Sequence, residues 1–255
     1  MTIGAVDYIT KPYNPMSVRA KVRNHIELKA YRDSLEDMVA ERTRQLEKSH
    51  EAMIMGMSLT CEWHDEITGA HITRMKSFSG VIAEKMAELY PETVSRELAR
   101  LIHLYSPLHD IGKVSIPDSV LNKQGKLTDG EFEIMKGHTT HGAELLRTTE
   151  TLLDHTDTGL QIAIDIAECH HEKYDGTGYP RKLSGERIPV AARVVALADI
   201  YDALRSQRPY KPAFTHAEAY SIIMEGDGRT LPGHFDPKAL EAFKQVQDVL
   251  RRAYE

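Results

Sequence analysis

The chain is short of the features that mark exported, membrane-spanning or nucleic-acid-coating proteins. Only two cysteines, Cys61 and Cys169, occur in 255 residues. That is too few for a disulfide framework and fits a reducing cytoplasm. No run of about 18 apolar residues is available to cross a bilayer. The N-terminus lacks a basic region followed by an apolar core, so neither secretion nor a membrane partner is expected. Positive charge is in deficit, with a formal net charge of −6. This disfavours a non-specific DNA binder and leaves room for a local basic pocket that takes a small anion. Internal repeats and low-complexity tracts are absent, and strand patterns are nearly so. What remains is an ordinary globular composition, 41% hydrophobic and 27% charged. The length suits one large domain or a domain with an appendage. Thirteen histidines are more than surface decoration requires.

Residues 1–30 read as a fragment. Gly4-Ala5-Val6-Asp7-Tyr8-Ile9-Thr10-Lys11-Pro12 is a short apolar strand ending in Lys-Pro, and a helix follows from about Pro15. From Asn24 to about Met57 the chain is a polar helix with no glycine or proline before Gly56. Leu28, Tyr31, Leu35, Met38, Val39, Leu46 and Met53 recur at three-to-four-residue steps along it. Such a narrow stripe suits a dimeric coiled coil better than a helix lying against its own domain, although Arg42 and Lys48 interrupt the seam. Residues 58–255 are nearly all helical by pattern. Helices are expected over 70–90, 95–108, 129–148, 159–171 and 191–204, with two more after these and a glycine- and proline-dotted link at 112–125. The domain boundaries therefore fall at 1–30, 31–57 and 58–255.

Two stretches carry the chemistry. Leu108-His109-Asp110-Ile111-Gly112-Lys113 sets an imidazole, a carboxylate and an ammonium within six residues. His170-His171-Glu172-Lys173-Tyr174-Asp175-Gly176-Thr177-Gly178-Tyr179-Pro180 sets two imidazoles ahead of a glycine-rich turn. Histidine and aspartate at this density are costly to bury unless a metal pairs with them. Nitrogen and oxygen donors without cysteine suit iron, manganese, zinc or nickel. The candidate ligands are His71, His109, Asp110, His138, His170, His171 and Asp199. Each has a bland alternative by itself: His71 as a core or surface histidine, His138 as solvent-facing, Asp199 as a helix cap. Asp202 and Glu172 stand as readily for supporting groups as for plain helix or loop residues. His64, His103, His141 and His234 read as structural or exposed, and Cys169 as a small core residue.

Taken in order, these blocks resemble the HD-GYP domain, a branch of the HD metal-dependent phosphohydrolases. The resemblance covers about residues 58–250. It runs through His71 with Arg74, His109-Asp110-Ile111-Gly112-Lys113, Ile116-Pro117-Asp118, Lys126-Leu127-Thr128, Met135 and His138. It continues through His170-His171-Glu172, Gly178-Tyr179-Pro180, Asp199-Ile200-Tyr201-Asp202, Arg208-Pro209-Tyr210-Lys211 and Gly233-His234-Phe235-Asp236-Pro237. A bare His-Asp pair is a weak signal; the ordered set is a specific one. The N-terminal stretch resembles the last strand and helix of a response-regulator receiver domain, in which the lysine at Lys11 would contact a phosphorylated aspartate.

The resemblance implies an all-α fold. An HD-type helical bundle would hold the metal centre in its core, behind a long linker helix and a short receiver-like strand–helix fragment. It implies hydrolysis of cyclic di-GMP to the linear dinucleotide, and in some members onward to GMP. His71, His109, Asp110 and Asp199 match the quartet that defines HD hydrolases, and His138, His170 and His171 match ligands that add a second metal, with Asp110 bridging. Asp110 and Lys113 are the implied catalytic groups, and Lys113, Tyr179, Arg208 and Lys211 the implied substrate contacts. Two divalent ions are expected, iron or manganese first and zinc or nickel as alternatives. Family members with a third metal carry a glutamate four residues before the first histidine, where Ile67 stands here. Implied partners are cyclic di-GMP, a second copy joined through the linker helix, and diguanylate cyclase or histidine kinase signalling proteins. The competing readings are an HD hydrolase of another cyclic dinucleotide or nucleotide phosphoester, and a non-catalytic binding module.

Overall fold

The computed structural model describes residues 7–9, 11–12, 14–62, 69–153, 157–207 and 213–254. Among them the only regular structure is helical. Most of the expected N-terminal strand lies outside the described residues, as do His64, Ile67, Arg208 and Lys211. Of that strand, residues 7–9 have no regular structure. The Lys11–Pro12 and Tyr179–Pro180 peptide bonds are cis. Among the described residues no helix is long and apolar enough to cross a membrane.

The chain divides into two compact units, Met1–Glu51 and Ala52–Glu255. In the smaller unit the first helix, α1 (Pro15–Glu62), keeps Leu28, Tyr31, Leu35, Met38, Val39 and Leu46 exposed. In the larger unit its last turns bury Ile54 and Ser58. Eight more α-helices follow among the described residues: α2 (Gly69–Leu89), α3 (Arg96–Tyr105), α4 (Asp118–Leu121), α5 (Asp129–Glu150), α6 (Thr158–Cys169), α7 (Val190–Arg205), α8 (His216–Glu225) and α9 (Pro237–Arg252). The helix expected over 95–108 ends at Tyr105, and the chain then winds as a 3-10 helix from Ser106 to Ser115, which takes in the start of the link expected at 112–125.

Local sequence explains the starts. Ser95 accepts a hydrogen bond from the Leu98 amide at the head of α3, and Asp157 does the same for Leu160 at α6. Thr128 with Glu131, and Thr215 with Glu218, form reciprocal capping boxes at α5 and α8. Asp236 caps α9 just ahead of Pro237, whose fixed φ and missing N–H suit the first helical position. The helix α2 then buries Ile72, Met75, Phe78, Ile82 and Met86 at three-to-four-residue steps. It packs against α3, α7 and α9, while α5 packs on the 106–115 stretch and on α6. Tyr201 meets Phe78 and Phe243 edge-on in the core, with ring centroids 5.4 Å apart in both pairs. Each such ring removed from water contributes about 1.5–3 kcal/mol. This apolar frame holds α2, α5, α6 and α7 around one polar focus.

Candidate metal centre

The focus consists of two groups of donor side chains. Asp110, His138, His170 and His171 each offer a ligand atom, and these atoms lie within 4.8 Å of one another. His71, His109 and Asp199 form a second group on the same criterion. All seven residues singled out from the sequence are brought together. His71 comes from the first turn of α2, His109 and Asp110 from the 106–115 stretch, and His138 from α5. His170 and His171 follow the end of α6, and Asp199 lies well inside α7 rather than at a cap. His71, His109, His138 and His170 are buried, whereas His171 and Asp199 are half-buried.

Hydrogen bonds fix which ring nitrogen faces inward. His109 Nδ1 donates to the Ser106 carbonyl at 3.0 Å, His138 Nδ1 to the Met135 carbonyl at 2.6 Å, and His170 Nδ1 to the Ile166 carbonyl at 3.0 Å. A carbonyl can only accept, so Nδ1 carries the proton in each ring and Nε2 presents a lone pair. His138 Nε2 and His170 Nε2 lie 3.4 Å apart. They sit 3.3 Å and 3.6 Å from Asp110 Oδ1. Three electron-rich atoms facing one another at this range repel unless a cation lies among them, so this donor set fits a divalent metal. On its other side Asp110 Oδ2 is 3.3 Å from His109 Nε2 and accepts from Lys113 Nζ at 2.8 Å. One carboxylate thus turns an oxygen to each group.

The electrostatics keep these side chains in ligand form. Burial alone would raise the Asp110 carboxyl, but the nearby Lys113 ammonium, and then the His109 ring, hold it well below the usual carboxylate range. Burial lowers His138 to about 4, against the pull of Asp110. Burial, then the neighbouring His170 and His138, depress His171 well below the usual imidazole range. Neutral imidazoles and an ionised aspartate are what a metal requires.

The loop 172–185 covers one side of the centre. Glu172, undecided by sequence, is a buried clamp whose carboxylate accepts from the Arg181 amide at 2.7 Å and the Leu183 amide at 3.0 Å. Gly176 has φ +84°, a conformation costly for other residues. Gly178 serves differently: a Cβ there would sit 2.3 Å from the Lys173 nitrogen. The fold so stacks the Tyr179 ring on His171, centroids 4.8 Å apart and planes inclined by 30°. Burial, reinforced by Asp110 and Asp199, raises the Tyr179 phenol so that it stays protonated. His234 donates structure from behind, its carbonyl accepting from the Tyr174 amide at 2.8 Å.

Some neighbours were not legible as site residues. Lys136 holds its ammonium 4.8 Å from the Phe132 ring centre and 5.5 Å from that of Tyr179. In sequence it is one more charged residue on a helix. Asp202 accepts from His71 Nδ1 at 2.7 Å and from Arg74 Nε at 2.5 Å. Burial would raise its carboxyl, but His71 and Arg74 keep it well below the usual range. Its position three residues after Asp199 was the available signal.

Comparison with known proteins agrees with this geometry. Residues 33–238 match the model of the HD domain. A cyclic di-GMP phosphodiesterase of Vibrio cholerae is 45% identical over 83% of this chain and 42% of its own length. The cyclic di-GMP phosphodiesterase response regulator of Xanthomonas campestris is 37% identical over 94% of this chain and 61% of its own. A cyclic di-GMP phosphodiesterase of Thermotoga maritima is 36% identical over 98% of this chain and 68% of its own. The chain thus spans about half the length of the first of these relatives. A solved HDG"Y"P protein from Bdellovibrio bacteriovorus aligns with TM-score 0.51 at 20% identity, over 78% of this chain and 60% of that one, a likeness of fold. With its donor residues gathered in an all-helical core and its length matched by the domain model, the chain belongs to the HD domain family.

Proposed function

We propose that this chain hydrolyses a phosphodiester bond of cyclic di-GMP at a binuclear metal centre. One group, His71, His109 and Asp199, would hold one ion, and His138, His170 and His171 the other, with Asp110 between them. The observation that carries the reading is the two-sided Asp110, one oxygen turned to each histidine group. The chemistry that divalent cations supply when bound there is Lewis-acid polarisation of a phosphodiester and acidification of a nucleophilic water. The chain's own residues do the rest. Lys113 holds Asp110 ionised and sets a positive charge where a phosphate gains negative charge in the transition state. Tyr179, neutral and stacked on His171, is a hydroxyl donor and a flat surface at the mouth. Arg208 and Lys211 carry the sequence pattern for holding the remaining phosphate. With Ile67 in the place of a glutamate, two ions and a linear dinucleotide product are the expected outcome.

Names of relatives support the substrate class, and one observation favours a second reading. A Vibrio cholerae relative called 3'3'-cGAMP-specific phosphodiesterase 2 is 38% identical over 80% of this chain, so a hybrid cyclic dinucleotide is the rival substrate. We also read residues 1–30 as the end of a receiver domain, which makes the chain the output part of a two-component regulator. The exposed stripe from Leu28 to Leu46 is read as the seam of a homodimer. Anaerobic turnover of cyclic di-GMP and 3'3'-cGAMP, with metal per chain measured on the same sample, tests the proposal. Cleavage of cyclic di-GMP with about two metals, lost in His109→Ala, is the expected result. Bound metal with cleavage of the hybrid alone selects the rival. Bound metal with no cleavage of either returns the chain to a binding role.

A further inference from the structure

Asp202 is surrounded by more donors than a helix residue needs. Besides His71 and Arg74 Nε, it accepts from Ser206 Oγ at 3.1 Å and Arg74 Nη2 at 3.1 Å on Oδ2, and from Tyr254 Oη at 2.6 Å on Oδ1. The carboxylate is 1% exposed. Tyr254, beyond the end of α9, is in turn gripped by its ring. The Arg74 and Arg205 guanidinium carbons lie 4.9 Å and 4.6 Å from its centre, and the Phe78 ring lies 5.9 Å away. His71 therefore differs from His109, His138 and His170. Those three turn Nδ1 to backbone carbonyls of their own segment. His71 turns it to a side chain 131 positions away, which a residue beyond α9 helps to hold.

We propose that Asp202 and Tyr254 are positioning residues for metal binding at His71: the Tyr254 hydroxyl orients the Asp202 carboxylate, which fixes the His71 ring with Nε2 towards the metal. The proposal rests on the metal-centre reading above. A carboxylate behind a histidine ligand sets its tautomer and ring angle and strengthens its lone pair. Arg74 neutralises the buried charge, so that Asp202 can stay ionised without a second cation. The end of α9, packed on α2 and α7, is by this route tied to one metal position and not to the other.

The test is Mn2+ binding to the metal-stripped full chain, with free Mn2+ read by electron paramagnetic resonance. Asp202→Asn is expected to weaken one of the two binding events by about 10–100-fold. Tyr254→Phe keeps the ring contacts and removes only the hydroxyl, and should weaken the same event by about three- to tenfold. The second event stays within about twofold in both variants, since two of its histidines, His138 and His170, are anchored on backbone. Unchanged affinity in both variants overturns the proposal. So does equal weakening of both events together with a lower thermal midpoint of the metal-free chain, the signature of a merely structural role. If the parent chain binds no Mn2+, the metal centre itself falls and this proposal with it. If it binds Mn2+ and the variants match it, only the relay falls.

Discussion

The two donor groups are built from the same residue types but held in different ways. In the Asp110, His138, His170, His171 group, two of the three rings are pinned by carbonyls one helical turn back in their own segments. Local helix geometry orients them wherever those helices form. In the His71, His109, Asp199 group, His71 depends on Asp202 from α7, and through it on Arg74, Ser206 and Tyr254. Its orientation exists only when several elements have docked. The first arrangement is robust to distant change, and the second can be tuned by it.

The sharpest way to break the distinction is at the shared residue. Asp110→Asn should lower turnover about a thousandfold or more and weaken metal at both groups, because the neutral amide cannot serve two cations. Metal per chain and product formation on one sample report both effects. A second substitution pair restores the distinction. His138→Ala and His71→Ala should each reduce bound metal from about two ions to about one, the surviving ion having a different affinity in each variant. Identical residual affinities would show that the two groups are one site.

The spacing between the groups is set by a close backbone approach. A Cβ on Gly112 would lie 1.9 Å from the His138 carbonyl oxygen and 2.4 Å from the Gly142 nitrogen. Gly112→Ala should therefore destabilise the metal-free chain by about 3 kcal/mol, since backbone on both sides cannot yield. Thermal unfolding against the parent chain measures it. The loop over the first group is weaker. Glu172→Ala leaves two part-buried amides without their carboxylate and should cost about 1 kcal/mol, with faster hydrogen exchange at Arg181 and Leu183.

The smallest effect concerns the head of α5, the helix that carries His138. Hydrogen bonds from Lys123 and from Thr128 lower the half-buried Glu131 carboxyl from 4.5 to about 2. A carboxyl depressed by folding stabilises the fold above its unfolded pKa, and the gain is lost as pH falls through the folded one. Glu131→Gln should thus be slightly less stable at neutral pH, with the difference vanishing between about pH 4.5 and pH 2. A gap that persists at pH 2 would assign the loss to packing instead of charge.

Sequence by itself determined the helical composition and picked out a candidate ligand set. The stripe Ile72, Met75, Phe78, Ile82, Met86 has the period of a buried helix face, and caps such as Thr128 and Asp157 are local signals that need no tertiary partner. The order of His71, His109-Asp110, His138, His170-His171 and Asp199 identified the donors because a metal site needs those types whatever the backbone does between them. The family resemblance already implied two groups with Asp110 between them; only the tertiary structure decided that Asp202, Glu172, Lys136 and Tyr254 stand around them. Those assignments depend on side chains meeting across as many as 131 positions of chain. No periodicity records such meetings, because an aspartate that clamps a histidine and one that faces water are the same letter.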